Sequence, residues 1–187
     1  PLKKEVLRGI NIEIHEGKIN GIIGKSGSGK TTLVEMINAL LIPSVGNIKV
    51  DDYIIEKNQK IVNINNLRVN IGLIFENPED QFFNTTVKKE IEFGMKYFNY
   101  KTDKIEKRVM DALKMVGLDD TYLTRDPFSL SSGEKRKVAI ASVLAFNPKV
   151  IIFDEPTLGL DASSKENLIR LIKMLKNKYN KTIIINS

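Results

Sequence analysis

A glycine-rich segment near the start of the chain has the residue types and spacing of a phosphate-binding loop. Residues 24–31 read GKSGSGKT and fit the pattern G-x-x-x-x-G-K-[ST]. Glycines let main-chain N–H groups approach an anion closely, the lysine reaches the outer phosphates, and the last hydroxyl can ligate Mg²⁺. We therefore predict that a nucleotide's phosphates are bound by Gly24, Lys25, Ser26, Gly27, Ser28, Gly29, Lys30, Thr31 and Thr32.

The elements on either side of this loop are the ones that a phosphate site requires. Residues 19–23 predict a buried strand running into the loop, and residues 31–41 predict a helix leaving it, ended by Pro43. A helix N-terminus presents unpaired N–H groups and a positive dipole to a phosphate.

An acidic pair supplies the expected partner of the loop. Residues 149–155 read KVIIFDE, which predicts an apolar strand ending in Asp154 and Glu155. Asp154 would then lie at the carboxyl edge of the sheet and hold Mg²⁺, directly or through water. Glu155 would accept a proton from an attacking water. The alternative is that both acids simply mark a solvated strand end.

A third segment, residues 129–136, reads SLSSGEKR and opens a predicted helix. Ser131 and Glu134 have the spacing of a capping box, which is a purely structural role. The same Ser- and Gly-lined helix start is also suited to binding an anion. The residues alone leave both interpretations open.

These segments together resemble the ATP-binding cassette (ABC) ATPase family over essentially the whole chain. Residues 130–134 resemble its LSGGQ signature, 154–157 its DEPT motif and 159–161 its D-loop. The resemblance implies a P-loop NTPase (RecA-like) α/β core with a mixed or parallel sheet, a small antiparallel β subdomain and an inserted α-helical subdomain. It also implies hydrolysis of ATP with Mg²⁺, in which Lys30 and Glu155 are catalytic.

The family resemblance further implies a head-to-tail dimer. The signature residues of one subunit would contact the γ-phosphate of ATP held by the other, and Asp161 would lie at the dimer seam. The residues implied in that contact are Ser131, Ser132, Gly133 and Glu134.

A narrower resemblance is to the ATPases of energy-coupling factor (ECF) transporters. It is carried by residues 75–83 (FENPEDQFF), with support from 86–94, 126–128 and the opening residues 1–7. It implies a second ATPase, a transmembrane coupling subunit and a substrate-capture subunit, with the chain peripheral to the cytoplasmic face of the membrane. The imported substrate would be a vitamin or a transition-metal ion. The alternative is a soluble ABC ATPase of DNA repair or translation.

The chain departs from the family pattern at three positions. Glu76 replaces a glutamine that contacts Mg²⁺; a carboxylate can still ligate the ion but adds negative charge, which predicts a stronger Mg²⁺ demand or slower turnover. Ser132 and Glu134 replace a glycine and a glutamine of the signature. They indicate either a degenerate second site in an asymmetric pair of ATPases or harmless drift.

The pair Phe82 and Phe83 also has two interpretations. It suits either a contact with a membrane subunit or an ordinary core.

We predict one domain, with residues 1–84 and 147–187 forming the nucleotide-binding core and 85–146 the helical signature subdomain. Periodicity predicts a strand over 6–14 and a polar loop over 58–66. The remaining predictions are a hairpin over 46–50 and 53–55, strands over 69–75, 150–153 and 182–185, and helices over 87–97, 103–116 and 163–179.

The amino-acid composition argues against several other kinds of site and partner. The 187 residues include no cysteine and one histidine, His15, which excludes disulfides and multi-histidine metal sites. The net charge is +6, but the lysines are scattered and are not interleaved with aromatics, so no nucleic-acid partner is expected. The family's adenine-stacking aromatic and switch histidine would fall outside these 187 residues, and we expect this stretch alone to hydrolyse ATP poorly.

Overall fold

The protein is built on a parallel sheet of four strands with helices on both faces. The computed structural model describes residues 5–187, apart from the side chain of Asp80. The strand order is β1-β6-β5-β4, and a separate antiparallel pair is formed by β2 and β3. The strands are β1 (Ile19–Ile22), β2 (Asn47–Val50), β3 (Tyr53–Glu56), β4 (Ile71–Ile74), β5 (Val150–Asp154) and β6 (Thr182–Asn186).

Six α-helices are present in the described residues: α1 (Lys30–Ile37), α2 (Ile64–Asn70), α3 (Val87–Tyr97), α4 (Thr102–Met115), α5 (Ser132–Leu144) and α6 (Ala162–Tyr179). None of them is long and apolar enough to cross a bilayer. The α/β class with a parallel sheet and an antiparallel pair is as predicted, and the division into core and helical subdomain stays a prediction.

Two apolar clusters lie on opposite faces of the sheet. Ile152 and Ile184 point to the face covered by α1 and α2. Ile151, Phe153 and Ile183 point to the other face, where they join the apolar residues of α3 to α6. Because side chains alternate along a strand, Asp154 follows Ile152 onto the α1 face. The sheet therefore delivers this carboxylate to the side where the phosphate-binding loop lies.

The predicted strand over 6–14 is absent from the described residues. Val6, Ile10 and Ile12 remain 49%, 49% and 57% exposed, and no strand lies between residue 5, where the described part begins, and Ile19. Alternation assigns side chains to two faces, but a strand also needs a neighbour for its N–H and C=O groups. Residues 1–4 of the opening segment that resembles ECF ATPases lie outside the described residues.

Two further boundaries differ from the predictions. The helix after the loop ends at Ile37 instead of Leu41, since Ala39 adopts a φ of 56° and the Asn38 side chain donates to the Ile71 carbonyl at 2.6 Å. Part of the predicted loop and strand is helix α2, whose buried Leu67 packs with Ile71 four residues on.

Candidate functional site

The segment between β1 and α1 is a tight loop that requires glycine at two positions. Gly27 and Gly29 have φ angles of 76° and 94°, in the left-handed region that side chains disfavour. A Cβ atom on Gly29 would lie 2.7 Å from the Leu7 side chain. Gly29 is also the N-cap of α1 and provides no side-chain cap, so it leaves the first N–H groups of the helix for another acceptor.

Lys30 lies across the mouth of this loop. Its side chain is only 9% exposed, and its Nζ donates to the main-chain oxygens of Gly24 at 3.0 Å and Lys25 at 3.4 Å. Nζ also forms an ion pair with Glu155 Oε1 at 3.1 Å. The lysine is therefore fixed by the loop and is neutralised by the acid predicted to be the proton acceptor.

Thr31 and Asp154 bring two oxygen atoms together at the start of α1. The Thr31 hydroxyl donates to Asp154 Oδ1 at 3.2 Å, and the residue Asp154 is 3% exposed at the end of β5. A hydroxyl and a carboxylate are oxygen donors of the kind that Mg²⁺ prefers. Among residues 5–187 no group of three or more His, Asp or Glu side chains is arranged to hold a metal ion by itself.

The other loop residues differ in exposure. Lys25, Ser26 and Ser28 are exposed, and the Ser28 N–H donates to the Lys25 carbonyl at 3.1 Å. Thr32 is half-buried in the first turn of α1. Their contacts with phosphate stay predictions.

Glu155 stands in a conformation that is unusual for a residue other than glycine. Its φ angle is 44°, and its N–H is shared between the main-chain oxygen of Asn186 at 3.2 Å and the Oδ1 atom of the same residue at 2.8 Å. Asn186 belongs to this site and was not found by sequence reasoning. The only feature of the sequence that could have revealed Asn186 is its position, one residue after an apolar strand that neighbours Asp154.

Glu76, the third predicted magnesium ligand, is exposed. Its main-chain oxygen accepts a hydrogen bond from the Arg136 guanidinium at 2.6 Å. Arg136 also donates to the Leu158 carbonyl at 3.3 Å, so one side chain of α5 joins the segments that follow β4 and β5. Sequence reasoning missed this arginine, and a metal role for Glu76 stays a prediction.

The signature segment forms the capping box that the sequence predicts. The Ser131 Oγ atom accepts from the Glu134 N–H at 3.4 Å, and the Glu134 carboxylate accepts from the Ser131 N–H at 2.9 Å and the Ser131 hydroxyl at 2.7 Å. The Tyr122 hydroxyl donates to the same carboxylate at 2.6 Å. Hydrogen bonds from Tyr122 and then Ser131 lower the pKa of Glu134 to about 2. The charge of Glu134 is thus satisfied within the chain.

Ser132 and Gly133 lie between the two residues of this box. Ser132 is exposed, and Gly133 has open space where a side chain would lie. Asp161 caps α6, accepting from the Ser164 N–H at 2.7 Å, and this bond holds its pKa below the ordinary value. The predicted contacts of Ser131 to Glu134 and of Asp161 with a second subunit stay predictions.

Phe82 and Phe83 have separate environments. Phe82 is 9% exposed and belongs to the core, whereas Phe83 is 59% exposed and packs edge-to-face on Phe93 with ring centroids 4.6 Å apart. Both line a groove of about 350 Å³ between the sheet and α3. The core interpretation therefore describes Phe82, and Phe83 remains available at the surface.

Comparison with known proteins identifies the family that the motifs indicate. The family model described as ABC transporter matches residues 7–158. The chain is 44% identical to the energy-coupling factor transporter ATP-binding protein EcfA2 of Clostridium perfringens (strain 13 / Type A) and 41% identical to that of Staphylococcus aureus (strain MRSA252). Each match covers 100% of this chain and 65% of the relative, so the chain spans slightly less than two thirds of their length.

Solved structures are similar over nearly the whole chain. CbiO1 of Clostridium perfringens, described as part of the ABC transporter complex cbiONQ, superposes with a TM-score of 0.80 at 36% identity, covering 97% of this chain and 71% of that one. The ATP-binding cassette MJ0796, solved as a dimer in a post-hydrolysis state with ADP and Pi, gives 0.84 at 30% identity, with 97% and 79% covered. On its motifs, its fold and its match over residues 7–158, the chain belongs to the ABC transporter family.

Proposed function

We propose that this chain is the nucleotide-binding part of an ATPase subunit that powers an ECF-type importer, hydrolysing ATP to ADP and phosphate. The observation that carries the proposal is the convergence of four side chains at one edge of the sheet. Lys30 pairs with Glu155 at 3.1 Å, and Thr31 bonds Asp154 at 3.2 Å. The relatives are named as transporter ATP-binding proteins, which supports a role in transport over a soluble role in DNA repair or translation.

The residues fit Mg²⁺ and ATP. The uncapped start of α1 offers N–H donors, Lys30 offers one positive charge, and the Thr31 and Asp154 oxygens form a hard-ligand pair. When bound, Mg²⁺ would neutralise charge on the phosphate oxygens. Glu76 is a further candidate ligand in this proposal.

Each residue then has a defined task. The loop N–H groups and Lys30 hold the phosphates, and Thr31 and Asp154 hold the ion. Once Lys30 turns from Glu155 to phosphate, the Glu155 carboxylate is free to accept a proton from the attacking water. Lys30 and Glu155 are the catalytic residues in this proposal.

A second ATPase subunit, identical or related, completes the site. The signature of that subunit would face the phosphates bound by this chain. Ser131 of this chain would face the phosphates bound by that subunit. In this chain the Ser131 hydroxyl is already donated to Glu134 at 2.7 Å. The serine therefore has to exchange one acceptor for another when the dimer closes, and Asp161 would lie at the seam.

The membrane partners would be a transmembrane coupling subunit and a substrate-capture subunit for a vitamin or a transition-metal ion. The groove that contains Phe83 is suited to an apolar helix of the coupling subunit, since Phe83 and Phe93 present an exposed aromatic pair at its rim. The chain would lie at the cytoplasmic face of the membrane.

Isolation of the full-length protein from its own cells tests this proposal. The tagged protein is extracted from membranes in mild detergent, its bound subunits are identified, and ATP hydrolysis by the complex is measured. We expect a second ATPase and a membrane protein in the complex, with Mg²⁺-dependent hydrolysis. Recovery with ribosomes or DNA, and none with membrane subunits, would contradict the importer assignment.

A further inference from the structure

Asn186, at the end of β6, is a buried polar residue that is only half satisfied. The residue is 0% exposed. Its Oδ1 atom accepts the Glu155 N–H at 2.8 Å, while its Nδ2 atom has no hydrogen-bond partner within the described part of the chain. A buried amide group without a partner destabilises a folded protein, so its presence calls for a physical explanation.

The strand register places Asn186 beside Asp154, next to Glu155 in the chain. Asn186 is paired with Ile22 on one side and with Asp154 on the other. It follows Ile184 by two residues and therefore lies on the α1 face of the sheet, the face of the phosphate-binding loop.

The next residue joins the strand to the loop. The Ser187 N–H donates to the Ile22 carbonyl at 3.0 Å, and the Ser187 carbonyl accepts the Gly24 N–H at 3.2 Å. Asn186 is thus at a junction of β5, β6 and the loop.

The bond from Glu155 to Asn186 stabilises an unfavourable backbone. A non-glycine residue with a φ of 44° is held there only when its surroundings fix it. Glu155 directs its carboxylate to Lys30 at 3.1 Å from that conformation. The shorter of its two N–H contacts, 2.8 Å, is to the Asn186 side chain and not to the main chain at 3.2 Å.

We propose that Asn186 is a positioning residue for Glu155: its Oδ1 atom fixes the backbone turn from which the Glu155 carboxylate acts. This inference rests on the proposed hydrolysis of ATP. The need for the Oδ1 atom explains the unpartnered Nδ2 atom, since an amide side chain carries both. An aliphatic side chain at position 186 would not bury an unpaired donor, but it could not accept a hydrogen bond from the Glu155 N–H. If Asn186 had no part in positioning Glu155, replacing its side chain would leave catalysis unchanged.

The test replaces Asn186 in the full-length protein by an aliphatic residue of similar size, Asn186→Leu, or a smaller β-former, Asn186→Val. We expect kcat for ATP to fall about tenfold or more with KM within about twofold, and thermal stability to be equal or higher. In the nucleotide-free protein, the Glu155 amide should exchange with solvent about tenfold faster.

The matched control is Asn38→Leu. Asn38 is also a buried asparagine, 6% exposed, but its Nδ2 donates to the Ile71 carbonyl away from the site. This variant should lower thermal stability, leave kcat unchanged and leave the Glu155 amide protected.

Two results would overturn the role of Asn186: a kcat within twofold of wild type in both folded variants, or an unchanged Glu155 amide exchange rate. The exchange measurement needs no nucleotide. A wild-type protein that did not hydrolyse ATP with its partners would refute the proposed function, while the exchange result would still decide whether Asn186 holds Glu155.

Discussion

Replacing Glu155 by glutamine should tighten nucleotide binding while it stops hydrolysis. In the structure Lys30 is paired with Glu155 at 3.1 Å, and the two side chains are 9% and 28% exposed. A bound phosphate has to take Lys30 away from that carboxylate. The Glu155→Gln variant removes the competitor, keeps the size of the side chain and leaves no group that can accept the proton.

The size of the effect follows from the geometry of the pair. At 3.1 Å and an effective dielectric constant of about 20, the Coulomb attraction is about 5 kcal/mol before desolvation and side-chain ordering are subtracted. Exposed pairs retain less than about 1 kcal/mol, and breaking a fully buried pair costs about 3–5 kcal/mol. We take about 1–2 kcal/mol for this partly buried pair, which is a tightening of about 5- to 30-fold.

Isothermal titration calorimetry with ATP, on the wild type and on Glu155→Gln in the full-length protein, measures this gain. The control is Glu166→Gln, which removes an ion pair with Arg170 whose side chains are 65% and 71% exposed on α6. That control should leave the affinity unchanged. An affinity of Glu155→Gln equal to or weaker than that of the wild type would refute the competition between Glu155 and phosphate for Lys30.

Three further predictions follow from individual contacts. In Gly94→Ala the new methyl group would lie 2.5 Å from the Phe146 ring, so the free energy of unfolding should fall by about 1–3 kcal/mol although alanine favours helix. The control Gly21→Ala, with nothing within 4 Å of its methyl group, should be near neutral. Thermal unfolding measures both, and a Gly94→Ala protein as stable as the wild type would disprove the close packing. Because the pKa of Glu134 is lowered from 4.5 to about 2, its stabilising effect is complete above pH 4.5 and is lost as the pH falls toward 2. Tyr122→Phe should raise the pKa of Glu134, read by NMR titration, and weaken this acid dependence while the ring stays stacked on Arg125; an unchanged pKa would count against the hydrogen bond. Glu76→Gln should lower the Mg²⁺ concentration needed for half-maximal hydrolysis, and identical Mg²⁺ curves would rule out a metal role for Glu76.

The parts of the site that sequence predicts well are those set by local pattern. Gly27 and Gly29 of the loop have positive φ angles, which glycine adopts without strain, and Ser131 and Glu134 form the predicted capping box. The resemblance to the ABC family is confirmed by the match over residues 7–158. The loop and the capping box each depend on a few neighbouring residues whose chemistry dictates one geometry.

The parts that sequence reasoning missed depend on contacts between distant segments. Arg136 reaches the carbonyl of Glu76, 60 residues earlier, and Asn186 accepts the N–H of Glu155, 31 residues earlier. An isolated arginine or asparagine carries no periodicity that would reveal these partners. The absent strand over 6–14 has the same cause, because the alternation of apolar residues does not specify a neighbouring strand.

We propose that Lys30, Thr31, Asp154 and Glu155 form a site for hydrolysis of ATP. The most direct measurement is the release of phosphate from ATP by the full-length protein in its isolated complex, with and without Mg²⁺, for the wild type and for Lys30→Ala. We predict Mg²⁺-dependent hydrolysis by the wild type and a loss of the activity contributed by this subunit in the variant. Hydrolysis by Lys30→Ala at the wild-type rate, or wild-type hydrolysis that is independent of Mg²⁺, would contradict the account.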